Sequence, residues 1–252
     1  MPATPAWPPK SAPRLFVDNP LAEGAPVRVE GNQAHYLAKV MRVSPGDTVI
    51  LCDDETGEWA TEVVEAAKRH VTLEPKQHLR PREEVPDFWL CAALLKKDRF
   101  DMVLEKATEL GVARIQPVVT SRCVADKLNP ERARTIVTEA AEQCARTALP
   151  EVEEPLKLAA LLKDWPEDRI LFFADEEGGE AAADAFCYAA EPAALLIGPE
   201  GGFDDVERSA IRAHPSARPV SLGPRILRGE TAALAGIAVW MAEAGDWIGD
   251  EE

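Results

Sequence analysis

Leu195-Leu196-Ile197-Gly198-Pro199-Glu200-Gly201-Gly202-Phe203 is an apolar run broken by Gly-Pro and followed by a glycine pair. Further along, Val220-Ser221-Leu222-Gly223-Pro224-Arg225-Ile226-Leu227-Arg228-Gly229-Glu230-Thr231 repeats the device and adds two arginines and a glutamate. Short apolar runs ended by turn signals read as buried strands. A helix should follow each. Asp204 and Glu207 have the spacing of a capping box ahead of a helix over 206–213, and the apolar stretch after Glu230 predicts another over 230–244. Two successive units of strand, Gly-Pro loop and helix indicate an α/β domain with a mostly parallel sheet. Ligands of such sheets bind outside the carboxyl ends of the strands, where these two loops would stand and share one pocket.

The same rhythm extends upstream. Residues 88–95 form a continuous apolar run, and 99–110 carry Phe100, Val103, Leu104 and Ala107 at helical spacing, with Gly111 placed to end the helix. Strands are expected at 115–120, 170–174 and 219–222. Asn129-Pro130-Glu131 supplies an N-cap, a first-turn proline and an acidic first turn for a helix lined by Ile136, Val137, Ala140 and Cys144. Before residue 81 the pattern is different: five short β-like segments with Pro-Gly and Thr-Gly turns, interrupted by one helix over 33–42 with Leu37, Val40 and Met41 on one face. A small barrel is the expectation. The chain thus reads as a proline-rich disordered tail (1–13), a barrel (14–80), a linker (81–87) and an α/β domain (88–250).

With 46% hydrophobic and 29% charged residues the composition is globular, which excludes collagen-like and disordered classes. Five cysteines, odd in number and with no C-x-x-C pair, read as reduced thiols. No signal-type apolar segment opens the chain, and the longest apolar run, 232–242, is far short of the roughly 20 residues that span a membrane. A cytoplasmic, soluble protein is expected. The formal net charge of −16 argues against a broad nucleic-acid partner. The charge is unevenly spread, however: residues 1–80 hold 9 basic and 11 acidic side chains, 81–150 hold 11 and 11, and 151–252 hold 8 and 22. Most cations therefore precede residue 151, which leaves room for a local basic contact.

The two loops lack the Lys-Ser/Thr of a phosphate loop and the G-x-G-x-x-G of a dinucleotide fold. Each alone is also an ordinary strand-to-helix turn, and Arg225, Arg228 and Glu230 alone would pass for a solvated cluster at a helix start. Their interleaving with Ile226 and Leu227 at a strand exit favours a ligand. There is no G-x-S-x-G and no H-E-x-x-H, and the four histidines are scattered, so neither a histidine-based site nor a metal site is expected.

The pair GPEGGF and LGPRILRGETAALAG resembles the bacterial small-subunit ribosomal RNA uridine-N3 methyltransferases, a branch of the SPOUT superfamily of knotted methyltransferases. RLFV at Arg14, HYLAKVMRVSPGD from His35, KKDRFDMVLEKATELGV from Lys96 and EQCAR from Glu142 extend the resemblance over nearly the whole chain. It implies a PUA-like barrel followed by an α/β domain with a deep trefoil knot, bound S-adenosylmethionine (SAM), a homodimer, and 16S rRNA as substrate within the assembled small ribosomal subunit. Carried over by position, the cofactor would be held by Phe173 and Ala174, by Ile197, Gly198, Pro199, Glu200, Gly201 and Gly202, and by Leu222, Gly223, Ile226, Leu227, Arg228, Thr231 and Ala232. Methylation of uridine N3 requires loss of the imide proton and builds negative charge on the flanking carbonyls. Arg225 or Arg228 could stabilise that charge, and Glu230 could take the proton or orient an arginine. Candidates for RNA phosphate contacts are Arg14, Lys39, Arg42, Lys96, Lys97 and Arg99. A SPOUT enzyme acting on ribose 2′-O, and a non-catalytic RNA-binding assembly protein, remain the alternatives.

Overall fold

The computed structural model describes residues 12–187 and 192–248. Nearly all of the expected tail lies outside that range. The chain divides into two compact units: the first runs to Glu84 and includes Ala141–Leu149, and the second comprises Val85–Ala140 and everything from Pro150.

The first unit contains β1 (Arg14–Phe16), β2 (Val27–Glu30), α1 (Gly31–His35), a π-helical segment (Tyr36–Met41), β3 (Thr48–Asp53), β4 (Gly57–Ala66) and β5 (His70–Arg80). Its sheet has the order β1-β3-β4-β5-β2, antiparallel except for the β1–β3 pair. Alternate residues Val49, Leu51, Val63, Val71 and Leu73 point to one core, as the period of two requires. The expected helix over 33–42 is present, but only its first turns are α-helical. The wider π turn rotates Val40 and Met41 away from the buried Leu37, leaving them 61% and 39% exposed, so the expected common apolar face does not form. The segment ends on Arg42 with φ 56°, a left-handed conformation that non-glycine residues seldom adopt.

Asp53 fastens the β3–β4 turn to the start of the chain. Its carboxylate accepts from Leu21 N (2.6 Å), Glu55 N (2.8 Å), the Thr56 hydroxyl (2.6 Å) and Thr56 N. Gly57 follows with φ 99°, where a Cβ would run into the Arg80–Arg82 backbone. The Ala141–Leu149 segment, expected in the second domain, belongs to this unit because its polar groups are satisfied here. Glu142 accepts from Phe16 N (2.8 Å), Arg80 donates to the Ala145 carbonyl, and Glu83 accepts from Thr147 N (2.7 Å).

The second unit contains β6 (Phe88–Ala93), α2 (Lys97–Glu109), β7 (Arg114–Val119), most of α3 (Pro130–Cys144), β8 (Glu151–Val152), β9 (Leu156–Lys157), α4 (Leu158–Lys163), β10 (Ile170–Ala174), β11 (Glu180–Ala181), α5 (Ala182–Cys187), β12 (Ala193–Ile197), α6 (Asp205–Ala213), β13 (Ala217–Ser221) and α7 (Gly229–Glu243). The sheet order is β11-β13-β10-β12-β6-β7-β8, with β9 also on β7, and every pairing is parallel. The α/β class and strand positions agree with the sequence, which lacked only the short elements between 150 and 187. Helices cover both faces. Leu90, Ala92, Phe172, Leu195 and Ile197 face a core with Phe100, Phe186, Ile237 and Trp240; Cys91, Leu171, Phe173, Ala194 and Leu196 face another with Leu158, Leu161 and Ile211. Burial on both sides explains why these strands read as continuous apolar runs. No described helix is long and apolar enough to cross a membrane.

Burial pushes the Asp53 carboxyl up, but the Thr56 hydroxyl and the N–H groups of Thr56, Leu21 and Glu55 outweigh it and hold the group below the usual aspartate range. With the folded-state value depressed, this stabilisation is complete above the unfolded value near pH 4 and is lost as pH falls through the folded value. Asp53→Ala should cost about 2–3 kcal/mol in urea unfolding at pH 7, and its deficit should narrow below about pH 4.

Candidate active site

Because all strands of the second sheet run parallel, the loops after β13, β10, β12, β6 and β7 leave the same edge. α7 packs over β12 and β6 rather than beside β13, from which the chain arrives. The loop 222–228 must therefore cross the end of β10, which lies between β13 and β12. It lands where α7 starts: a Cβ at Gly229 would stand 3.1 Å from Leu95 and 3.3 Å from the Gly198 carbonyl oxygen. The two Gly-Pro loops, apart in sequence, meet at this point.

The β12 loop is held from three sides. Gly202 N donates to Pro199 O (2.9 Å), and Gly202 takes φ 65° with Glu176 directly against it. The capping box is present: Glu207 N donates to Asp204 Oδ1 (2.8 Å) and Asp204 N to Glu207 Oε2 (3.2 Å). The Glu207 N–H and then the Ser121 hydroxyl hold the Asp204 carboxyl below its usual range. From the β7 loop, Arg122 Nη1 donates to the carbonyls of Gly201 (2.6 Å) and Phe203 (3.3 Å), and Ser121 N donates to Glu207 Oε1 (2.7 Å). Ser121 and Arg122 carry no sequence signal, since Ser-Arg after a strand looks like any polar loop.

After β10, Asp175 is buried and bound by Arg212 at 2.9 and 2.6 Å, with Arg208 Nε at 3.4 Å; Arg208 also binds Glu176 and Glu177, each at 2.6 Å. α6 thereby fixes the loop that follows the expected cofactor residues Phe173 and Ala174. The Phe173 side chain lies in the core, so only its backbone is available to a ligand.

The β13 loop splits its residues by role. Leu222 and Leu227 pack against the core, while Arg225, Arg228 and Thr231 are exposed and Ile226 is 93% exposed. Gly223 has φ 104° and nothing within 4 Å of where a Cβ would be. Ala232 is buried. Glu230 is buried, and its Oε2 has no hydrogen-bond partner. Neither Arg225 nor Arg228 reaches it among the described ion pairs. The arginine beside it is Arg99 from α2, with Nε 3.8 Å from Glu230 Oε1 and Nη1 donating to Glu200 Oε1 at 3.2 Å. Arg99, a candidate phosphate contact on the sequence, thus stands beside two carboxylates. Lys96 and Lys97 are exposed at the start of α2, and Lys39 and Arg42 are exposed in the first unit, whereas Arg14 is tied to the buried Glu58. Burial pushes the Cys91 thiol up to about 12, which leaves it an inert core residue. Among the described residues no group of three or more His, Cys, Asp or Glu side chains could hold a metal ion.

The family model for the RNA methyltransferase domain matches residues 82–241, and that for the RNA methyltransferase PUA domain matches 29–76. Ribosomal RNA small subunit methyltransferase E of Synechocystis sp. is 34% identical over 85% of this chain and 72% of its own; that of Mycobacterium bovis is 30% identical over 92% and 95%. Among solved structures, methyltransferase E of Neisseria gonorrhoeae bound to SAM superposes with a TM-score of 0.85 at 28% identity, covering 94% of this chain and 99% of that one. A Legionella pneumophila methyltransferase with bound SAM gives 0.84 at 30% identity, covering 93% and 99%. The chain belongs to the RNA methyltransferase family, in the group of ribosomal RNA small subunit methyltransferase E.

If Arg122 is what holds the β12 loop, Arg122→Ala should speed amide hydrogen exchange across residues 200–203 about tenfold, the cost of a charge-assisted hydrogen bond. The melting temperature should stay within about 2 °C of wild type, as expected of a surface change outside the core.

Proposed function

We propose that this chain transfers the methyl group of SAM to N3 of a specific uridine in 16S rRNA, within the small ribosomal subunit. The observation that carries the proposal is the meeting of the two Gly-Pro loops at Gly229 and Gly198, which makes one backbone-lined site from two strand exits. The residues fit the cofactor: Gly223 leaves loop backbone open to a ligand, Gly198, Gly201 and Gly202 pack against Phe203, Arg122 and Glu176 and so keep the β12 loop a bare backbone wall, and half-buried Leu222 and Leu227 offer apolar cover for an adenine ring. Bound SAM supplies a methyl group activated by a sulfonium.

The chain's residues supply the rest. Exposed Arg225 and Arg228 are free to meet the charge that builds on the uracil carbonyls. Glu230 offers an unpartnered carboxylate oxygen at the same loop. Holding the base against the methyl donor converts a bimolecular encounter into an oriented one. Lys96 and Lys97 support RNA contact as two adjacent exposed cations at the start of α2, open to a phosphate. In the first unit, residues 31–46 contain Lys39 and Arg42 and no acidic residue, beside exposed Tyr36. This combination suits a phosphate and an unstacked base.

The deep trefoil knot belongs to the same proposal, supported by the loop that crosses β10 before α7. So does the homodimer, supported by large apolar side chains in water on the single chain, Ile226 at 93% and Trp247 at 52% exposed. A cytoplasmic location follows from a ribosomal substrate.

Nucleoside mass spectrometry of small-subunit rRNA from a deletion strain should lack one 3-methyluridine that complementation restores; loss of a ribose methyl instead would overturn the N3 assignment. In single turnover at saturating substrate, Arg228→Ala should slow methylation by about 10²-fold or more. A wild-type rate would remove Arg228 from the chemistry.

A further inference from the structure

Glu230 is the second residue of α7, buried, with its two oxygens in unequal surroundings. Oε1 faces Arg99 Nε at 3.8 Å, and Oε2 has no partner. A buried acceptor left unpaired is costly, and such groups are kept where a donor arrives with a ligand. Arg99 in turn donates to Glu200 in the β12 loop at 3.2 Å. One guanidinium thus links both loops of the site from a third element, α2. The backbone beneath allows no slack, since Gly229 sits against Leu95, two residues past β6, and against the Gly198 carbonyl. At 3.8 Å the Arg99–Glu230 contact is longer than a hydrogen bond, so it orients the carboxylate by charge while leaving its hydrogen-bonding capacity unspent.

We propose that Arg99 is a positioning residue for methyl transfer: it holds Glu230 through Oε1 and anchors it to Glu200, so that Oε2 accepts the proton of the substrate's N–H. This deepens the methyl-transfer proposal above and rests on it. The proton passes from N3 to Oε2, and the N–H electron pair stays on nitrogen and forms the bond to the methyl carbon. The methyl–sulfur pair departs with sulfur, and Glu230 later gives its proton to water. α2 then carries two separate functions within one turn: Lys96 and Lys97 face outward to RNA, while Arg99 faces inward to the carboxylates.

A double-mutant cycle on single-turnover methylation tests this, using Arg99→Ala, Glu230→Gln and the pair, with SAM affinity by calorimetry and the salt dependence of binding to unmethylated small-subunit rRNA. Arg99→Ala should slow turnover at saturation by about ten- to a hundredfold. SAM affinity should stay within about twofold, and the salt slope should not change. In the Glu230→Gln background the same change should cost less than about twofold, because the group it positions is gone. Arg99→Lys should recover most of the rate, and Arg99→Met, which keeps the apolar stem and removes the charge, replaces Arg99→Ala in the cycle if the alanine variant does not fold. Additive losses, or a flatter salt slope with turnover intact, would overturn the proposal, the latter marking Arg99 as a phosphate contact. A ribose-methylated product from the wild type would overturn the N3 assignment and with it the N–H as the proton source, whereas the coupling of Arg99 to Glu230 is read by the cycle whichever atom is methylated.

Discussion

The packing of α7 across β12 and β6 is the constraint from which the site follows. From Thr231 to Ala242 the helix has no charged residue, and Ala233, Gly236, Ile237, Trp240 and Met241 are buried, with Trp240 stacked on Phe88 at a ring separation of 4.0 Å. Gly236 permits this approach, for a Cβ there would run into Leu195. A helix so apolar has to lie in the core. Its place there obliges the chain leaving β13 to cross β10 before the helix can begin, which brings Arg225–Glu230 to Gly198–Phe203. Removing water from α7 and assembling the site are the same event.

Charge is arranged in the same spirit. Arg99, Arg122, Arg208 and Arg212 each hold a loop at the carboxyl edge of the sheet through carboxylates or carbonyls, while Arg225 and Arg228 are left to solvent. The division suits a site that needs rigid walls and a few unspent cations. Spending Arg208 and Arg212 on Asp175, Glu176 and Glu177 also neutralises part of the acidity that dominates the last hundred residues. An overall charge of −16 is therefore compatible with RNA as a partner, because screening at physiological salt acts over about 8 Å and contacts are decided locally.

Much of this was legible in the chain. The Gly-Pro loops, the capping box at Asp204 and Glu207, the Asn129 cap and the ending of α2 at Gly111 all rest on interactions within a few residues, and the structure contains each of them. What could not be read depends on partners distant in sequence. Arg14 looked like a surface cation, but Glu58 lies opposite it across the sheet. Val40 and Met41 looked like core because a π turn has no sequence signature that separates it from an α turn. Ala141–Leu149 belongs to the first unit with no local sign of it, because its anchors, Phe16, Arg80 and Glu83, are all more than fifty residues away.

The sequence by itself determined the α/β class, the two loops of the candidate site and the residue types proposed for methyl transfer, since periodicity and turn chemistry act over short stretches of chain. Only the tertiary structure decided which arginine serves which carboxylate. Arg99 lies 101 residues before Glu200 and farther still from Glu230, and nothing local to any of the three distinguishes it from Arg225 or Arg228. That choice is made by strand order and by where α7 comes to rest.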